Sequence, residues 1–203
     1  MKTEIVPASE IRSALTILRS GGLVAFPTDT VYGVGSLAFD QQAIESINLA
    51  KSRPVEKAIP VLIGDLPDLE KVSDNIPDMA LRFAARFWPG PLTCVIPKNQ
   101  ILPAAISATP TVAVRIPDHV DARALLRAAG PMAVTSANIS GQASPVTAQE
   151  VYEQLNGRIP LILNGGVTPG GVPSTLVDCT AESPVILREG PVSMQDLLAA
   201  LNP

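Results

Sequence analysis

Leu23-Val24-Ala25-Phe26-Pro27-Thr28-Asp29-Thr30-Val31-Tyr32-Gly33 passes from four apolar residues straight into two threonines and an aspartate. The apolar run reads as a strand, and the polar atoms behind it then lie at the strand's end. In open α/β sheets, ligands bind at such ends. The other reading of Thr28-Asp29-Thr30 is an Asx or ST turn, and the stretch taken alone is balanced between the two.

Outward from this stretch, helix-like and strand-like pieces alternate. Ser9 can cap a helix with Ile11, Leu15 and Leu18 on one face, stopped at Gly21-Gly22. Asp40 can cap a helix carrying Ile44 and Ile47 that ends near Lys51. Residues 79–87, 122–128 and 148–155 read as helices, and Ser193 with Asp196 opens a last one over 194–201. Residues 59–63, 92–96, 111–116, 132–135, 160–163, 174–177 and 185–187 read as strands. This alternation predicts an α/β domain with a mixed sheet rather than a purely parallel one. Twenty prolines and fourteen glycines gather at the joints. The Gly-rich stretch at 164–171 reads as a site loop or lid, because strand-like sequence flanks it.

The chain has 203 residues, 46% apolar and 17% charged. A buried core is expected and disorder is not. Aromatics are only 3%, so broad base-stacking surfaces are not expected. A net charge of -4 gives no whole-molecule attraction to nucleic acid, which would need a local basic groove. Cys94 and Cys179 lie in apolar runs without a CxxC pattern, and buried thiols are expected. The one histidine, His119, has no metal-ligand partners at usable spacing. Charges throughout residues 1–20 and the lack of a long apolar run predict no signal peptide, no membrane span and a reduced, cytoplasmic protein.

Two short polar motifs carry the chemical signal. Lys51-Ser52-Arg53 offers two cations one residue apart, and Lys57 makes three within seven residues. Such a cluster suits a polyphosphate; cations at a helix C-terminus can equally answer the helix dipole. Ser136-Ala137-Asn138 offers a hydroxyl and an amide at the same spacing after a strand-like run. Together they suggest nucleotide chemistry. Arg115 interrupts Val112-Ala113-Val114-Arg115-Ile116, so it must pair with a carboxylate of the fold or bind an anionic ligand. Arg188, closing Val185-Ile186-Leu187-Arg188, invites the same argument. Gly33-Val34-Gly35-Ser36-Leu37-Ala38 fits GxGxxA only loosely; it lacks a following helix and an acidic ribose partner, and reads as a tight turn. No Walker A lysine motif or GxSxG is present.

Seven stretches in this order resemble the Sua5/YciO/YrdC family: residues 26–35, 51–54, 88–93, 112–119, 136–141, 173–178 and 187–190. The resemblance covers residues 8 to 200. It implies a twisted open mixed sheet with flanking helices around a large concave, positively charged cavity. It implies one YrdC-like domain over 1–203, without the C-terminal domain that longer members carry. The activity it implies is L-threonylcarbamoyladenylate synthesis. ATP, L-threonine and bicarbonate give threonylcarbamoyl-AMP and pyrophosphate for the threonylcarbamoyladenosine modification of tRNA. Mg²⁺ is expected with ATP, and downstream threonylcarbamoyl-transfer proteins are the expected partners. By position, Lys51, Arg53, Ser136 and Asn138 match the family's catalytic KxR and SxN groups. Thr30, Arg115, Ser136 and Ser174 fall where threonine is held. Arg53, Lys57, Thr111, Asn138, the Val146 backbone and Arg188 fall where ATP is held. Leu62 stands where many members have histidine. Two rivals remain open: a YciO-like paralogue with another acceptor, and a module of the same fold that binds tRNA or double-stranded RNA.

Overall fold

The computed structural model describes residues 2–202. In chain order the strands are β1 (Glu4–Pro7), β2 (Val24–Phe26), β3 (Gly33–Leu37), β4 (Val61–Leu62), β5 (Leu92–Pro97), β6 (Thr111–Arg115), β7 (Met132–Ser136), β8 (Leu161–Asn164), β9 (Thr175–Asp178) and β10 (Val185–Arg188). The α-helices are α1 (Ile11–Arg19), α2 (Gln41–Lys51), α3 (Asp78–Phe87), α4 (Val120–Ala129), α5 (Ala148–Leu155) and α6 (Met194–Leu201). The strands form one ten-stranded sheet in the order β1-β8-β2-β3-β7-β4-β6-β5-β9-β10. Parallel pairs (β2 with β8, β4 with β6, β5 with β9) stand in one sheet with antiparallel ones (β3 with β7, β5 with β6), so the sheet is mixed, as expected from the order of helix-like and strand-like pieces.

The sheet has two unequal faces. One packs on α2, α3, α5 and α6 through Ile44, Ile47, Phe83, Val151 and Leu197, joined by the inward positions Val112, Val114, Cys94 and Ile96. The other meets α1 and α4 through Leu18, Leu125, Leu126, Phe26 and Met132. Strand residues alternate between faces. On β5, β6 and β9 the positions facing the α1/α4 side are Thr93 and Val95, Thr111, Ala113 and Arg115, and Leu176 and Asp178. Apart from Val95 and Leu176 these are small or polar. No large apolar layer is offered to a covering helix there, and an open cavity takes its place.

Three local readings change in the structure. The loose GxGxxA stretch is strand β3, not a turn. Its glycines let β3 pass close to β7: a Cβ on Gly35 would stand 2.4 Å from the Ala133 carbonyl oxygen. Helix α1 has Glu10 at its N-cap, without a side-chain cap, in place of Ser9. The strand read over 59–63 shrinks to Val61–Leu62. Strand β1 and a 3₁₀ helix over Leu66–Lys71 carry no clear periodic signal and went unread. Asp40 caps α2 by accepting from the Ala43 N–H, and Ser193 with Asp196 forms a capping box at α6, both as expected. Cys94 and Cys179 are buried free thiols. His119 accepts from the Ala122 N–H at the start of α4, which is a capping role. Among the described residues no helix is long and apolar enough to cross a membrane.

Candidate functional site

The uncovered part of the sheet floors a cavity of about 480 Å³. Val95, Ala113, Leu176, Leu62 and Val134 form its apolar floor, and hydroxyls and three arginines ring it. Of the residues singled out above, Thr30, Arg53, Thr111, Arg115, Ser136, Ser174 and Arg188 line this one space. They come from six separate chain segments, and only the fold unites them.

Arg115 is 3% exposed. Its guanidinium donates to Asp29 Oδ1 at 2.9 Å and to Thr30 Oγ1 at 3.3 Å. The carboxylate of the fold that the sequence argument required is therefore Asp29, from the stretch after β2. Burial pulls the Arg115 pKa down, while Asp29 supports the charge. Thr28 donates to the Val31 carbonyl at 2.7 Å, so Thr30 is the donor in the 3.0 Å contact between the two hydroxyls. The strand end and the turn thus coexist: the ST-type bonding of Thr28 fixes the backbone that presents Asp29 and Thr30. Arg188 enters from the edge strand. Between Ile186 and Arg188 the β9–β10 register slips, which turns both Leu187 and Arg188 toward the cavity. Arg188 then donates to the Ser174 carbonyl at 2.9 Å and to its hydroxyl at 3.2 Å, and Thr93 meets that hydroxyl at 2.7 Å.

The opposite wall is built differently. Ser52 ends α2 in the left-handed region at φ 51°. This reversal separates the two cations of the motif. Lys51, 2% exposed, donates to the carbonyls of Ser136 and Asn138 and does not line the cavity. Burial, with repulsion from Arg53, brings its pKa down to about 7. Arg53 does reach the cavity, but it also donates to Asn48 Oδ1 at 3.3 Å, to the Lys57 carbonyl and to the Ala58 carbonyl at 2.8 Å. Ser136 donates to Asn138 Oδ1, and the Asn138 amide donates to the Ile139 and Gln142 carbonyls at 2.8 and 3.0 Å. The SxN motif is thereby a rigid hydroxyl presenter clamped from below by Lys51.

Four expected site residues are not brought to the cavity wall: Lys51, Lys57, Asn138 and Val146. Lys57 is exposed and offers its carbonyl to Arg53. The Val146 backbone, expected at the nucleotide, is engaged within the chain: its N–H donates to Glu150 Oε2 at 2.7 Å, and its carbonyl accepts from the Thr168 N–H. The Gly-rich loop at 164–171 also stays off the wall. Tyr32 donates to the Gly166 carbonyl at 2.7 Å, and Gly171 donates to that of Thr30 at 2.8 Å. Gly170 lies so close to this segment that a Cβ would come 2.6 Å from the Asp29 carbonyl oxygen. Residues missed in the sequence include Ser107 and Thr109, which form a hydroxyl chain with the expected Thr111 at 2.8 and 2.9 Å, and Asp178. The alternation Thr111, Ala113, Arg115 against buried valines marked one face of β6 as unlike a helix-covered one, and it was the signal available.

Known proteins share this architecture. A Pyrococcus abyssi protein named threonylcarbamoyl-AMP synthase is 44% identical over 190 residues, which is 93% of this chain and 56% of the relative. The chain thus spans little more than half the length of that relative. The crystal structure of P. abyssi Sua5 complexed with L-threonine superposes with a TM-score of 0.95 at 41% identity, over 98% of this chain and 61% of that one. The crystal structure of E. coli YciO superposes with a TM-score of 0.84 at 28% identity, over 95% and 98% of the two chains. The family model for Sua5, YciO and YrdC, described as telomere recombination, matches residues 16–190, which include every cavity residue named above. By fold and by that match, this chain belongs to the Sua5/YciO/YrdC family.

Proposed function

We propose that this chain is an enzyme, a nucleotidyltransferase that makes L-threonylcarbamoyl-AMP and pyrophosphate from L-threonine, bicarbonate and ATP. The observation that carries this reading is the convergence of Arg115, Arg188 and Arg53 with Thr30, Ser136 and Ser174 on one cavity. Three fixed cations suit two anionic substrates, and the hydroxyls suit an amino acid's polar groups. The P. abyssi relatives, one crystallised with L-threonine, lend it weight.

Threonine's amine and bicarbonate give N-carboxy-threonine and water. The new carboxylate attacks the α-phosphorus of ATP, the bond to the β-phosphate oxygen breaks, and pyrophosphate leaves. The nucleophile is already anionic, so positioning and charge neutralisation do most of the work. Arg115, its plane fixed by Asp29, holds threonine's carboxylate beside Thr30 and Ser174. Arg53 and Arg188 face the phosphates, with Ser136 as a hydroxyl partner and Thr111 farther along the wall. Lys51 and Asn138 act one step back, fixing the Ser136 loop. Among the described residues no three His, Cys, Asp or Glu side chains gather to hold a metal. Mg²⁺ would ride on the nucleotide's own phosphates, and no step is assigned to it. Transfer proteins that modify tRNA would consume the product, in a reduced cytoplasmic setting that suits the two free thiols.

Pyrophosphate release from MgATP tests this, with threonine and bicarbonate each added or withheld and with serine and alanine as controls. Release that requires both is expected. A second reading has one observation behind it: Leu62, which lines the cavity, offers no hydrogen bond where many family members place histidine. Release that ignores threonine, or none despite ATP binding, would favour a YciO-like paralogue with another acceptor.

A further inference from the structure

The Gly-rich loop at 164–171 reads from the sequence as a site loop or lid, yet its hydrogen bonds go into the segment that holds Arg115. Tyr32 is fully buried, and its hydroxyl pins the loop from both sides: it accepts from the Gly165 N–H at 3.2 Å and donates to the Gly166 carbonyl at 2.7 Å. Burial raises the Tyr32 pKa, which keeps the donated proton in place. In the middle of the loop the Thr168 N–H donates to the Val146 carbonyl at 2.9 Å. At its end the Gly171 N–H donates to the Thr30 carbonyl at 2.8 Å. A Cβ on Gly170 would lie 2.6 Å from the Asp29 carbonyl oxygen and 3.0 Å from Thr30 Cα, so only glycine lets the loop seat this closely. The two residues it seats on are the two that hold the Arg115 guanidinium, Asp29 at 2.9 Å and Thr30 at 3.3 Å. Neither Tyr32 nor Gly170 is among the residues lining the cavity.

We propose that this loop is a buttress, and that Tyr32 and Gly170 are positioning residues that set the plane of Arg115 through Asp29 and Thr30, and with it the affinity for the amino-acid carboxylate. This rests on the reading of Arg115 as the clamp on threonine's carboxylate. A guanidinium fork that meets a carboxylate with two parallel bonds is sensitive to its plane, so a shift of the Asp29–Thr30 backbone reaches the substrate. A lid acts otherwise: loosening it alters turnover and nucleotide affinity along with that for the amino acid.

Steady-state pyrophosphate release gives KM for L-threonine at saturating MgATP and bicarbonate, and KM for MgATP at saturating threonine and bicarbonate. Tyr32→Phe keeps the buried ring and removes only the hydroxyl. It is expected to raise KM for threonine about 10-fold, while KM for MgATP and kcat stay within about twofold. Gly170→Ala should raise KM for threonine about 100-fold with the same selectivity. Val167→Ala, in the same loop but with its side chain exposed, should change none of these constants. Thermal unfolding reports whether each variant is folded; if Gly170→Ala is not, Tyr32→Phe decides alone. An unchanged KM for threonine in Tyr32→Phe, or an equal rise for threonine and MgATP, overturns the buttress and leaves the enzyme reading standing. If the unaltered protein releases no pyrophosphate in response to threonine, the enzyme reading and the buttress fall together.

Discussion

Arg115 and Lys51 are both buried cations facing the same neighbourhood, yet their chains of contact run in opposite senses. Arg115 is neutralised by a carboxylate, Asp29, and lines the cavity. Lys51 has no carboxylate partner among the described residues and gives its N–H groups to two backbone carbonyls behind the wall. The difference teaches that a cation in a motif is not thereby a ligand contact. What decides is where its donors are already engaged. The Arg115 wall pairs its cation with a carboxylate; the Lys51 wall holds a loop still, and of its Lys51-Ser52-Arg53 and Ser136-Ala137-Asn138 motifs Arg53 and Ser136 line the cavity.

The largest effect should come from breaking the Arg115 wall at its counter-ion. Asp29→Ala leaves a buried guanidinium unpaired and is expected to lower stability by about 3–5 kcal/mol in urea unfolding. A loss under about 1 kcal/mol would show that Asp29 is not the partner that matters. Arg115→Ala should reduce threonine-dependent pyrophosphate release about 100- to 1000-fold, with far-UV circular dichroism unchanged. Near-normal turnover would remove Arg115 from the substrate site.

The Lys51 wall is probed by pH. Burial brings the Lys51 pKa in the folded protein to about 7, against an ordinary value of 10.5. Between these pH values the unfolded chain binds the extra proton, so this group's contribution to stability rises with pH across that window. Relative to Lys51→Met, the unaltered protein should gain about 2 kcal/mol between pH 7 and pH 9. Parallel pH profiles of the two proteins would show that the ammonium is not held as the structure has it. The smallest effect belongs to a site remote from both walls. Ser193→Ala removes the capping hydroxyl of α6 and should cost about 1 kcal/mol of stability while leaving pyrophosphate release intact. A change in turnover there would mean that the cavity is not energetically separate from the outer helices.

Much of the fold was legible because it is local. The 3.6-residue rows at Ile44 and Ile47, the Asp40 cap and the Ser193 capping box fix helices with information contained in a few neighbouring residues. Strand β3 was hidden because a pair of glycines mimics a turn, and only the approach of β7 explains them. The site was partly legible as well. Arg115 announced a required partner by interrupting an apolar run, but its partner lies 86 residues away in sequence. Asp178 gave no signal, since an acid ending a short strand looks like any solvated strand end.

The sequence by itself determined the element order, the mixed α/β class and the residue types from which an anion-binding site can be made. Periodicity, caps and turn chemistry act over a few residues and can be read along the chain. Only the tertiary structure decided which polar groups share a cavity and which are consumed in holding it. Those outcomes depend on strand order, on the face each alternating position presents, on the left-handed turn at Ser52 and on the slipped register before Arg188. Each of these sets a direction in space that no linear spacing encodes.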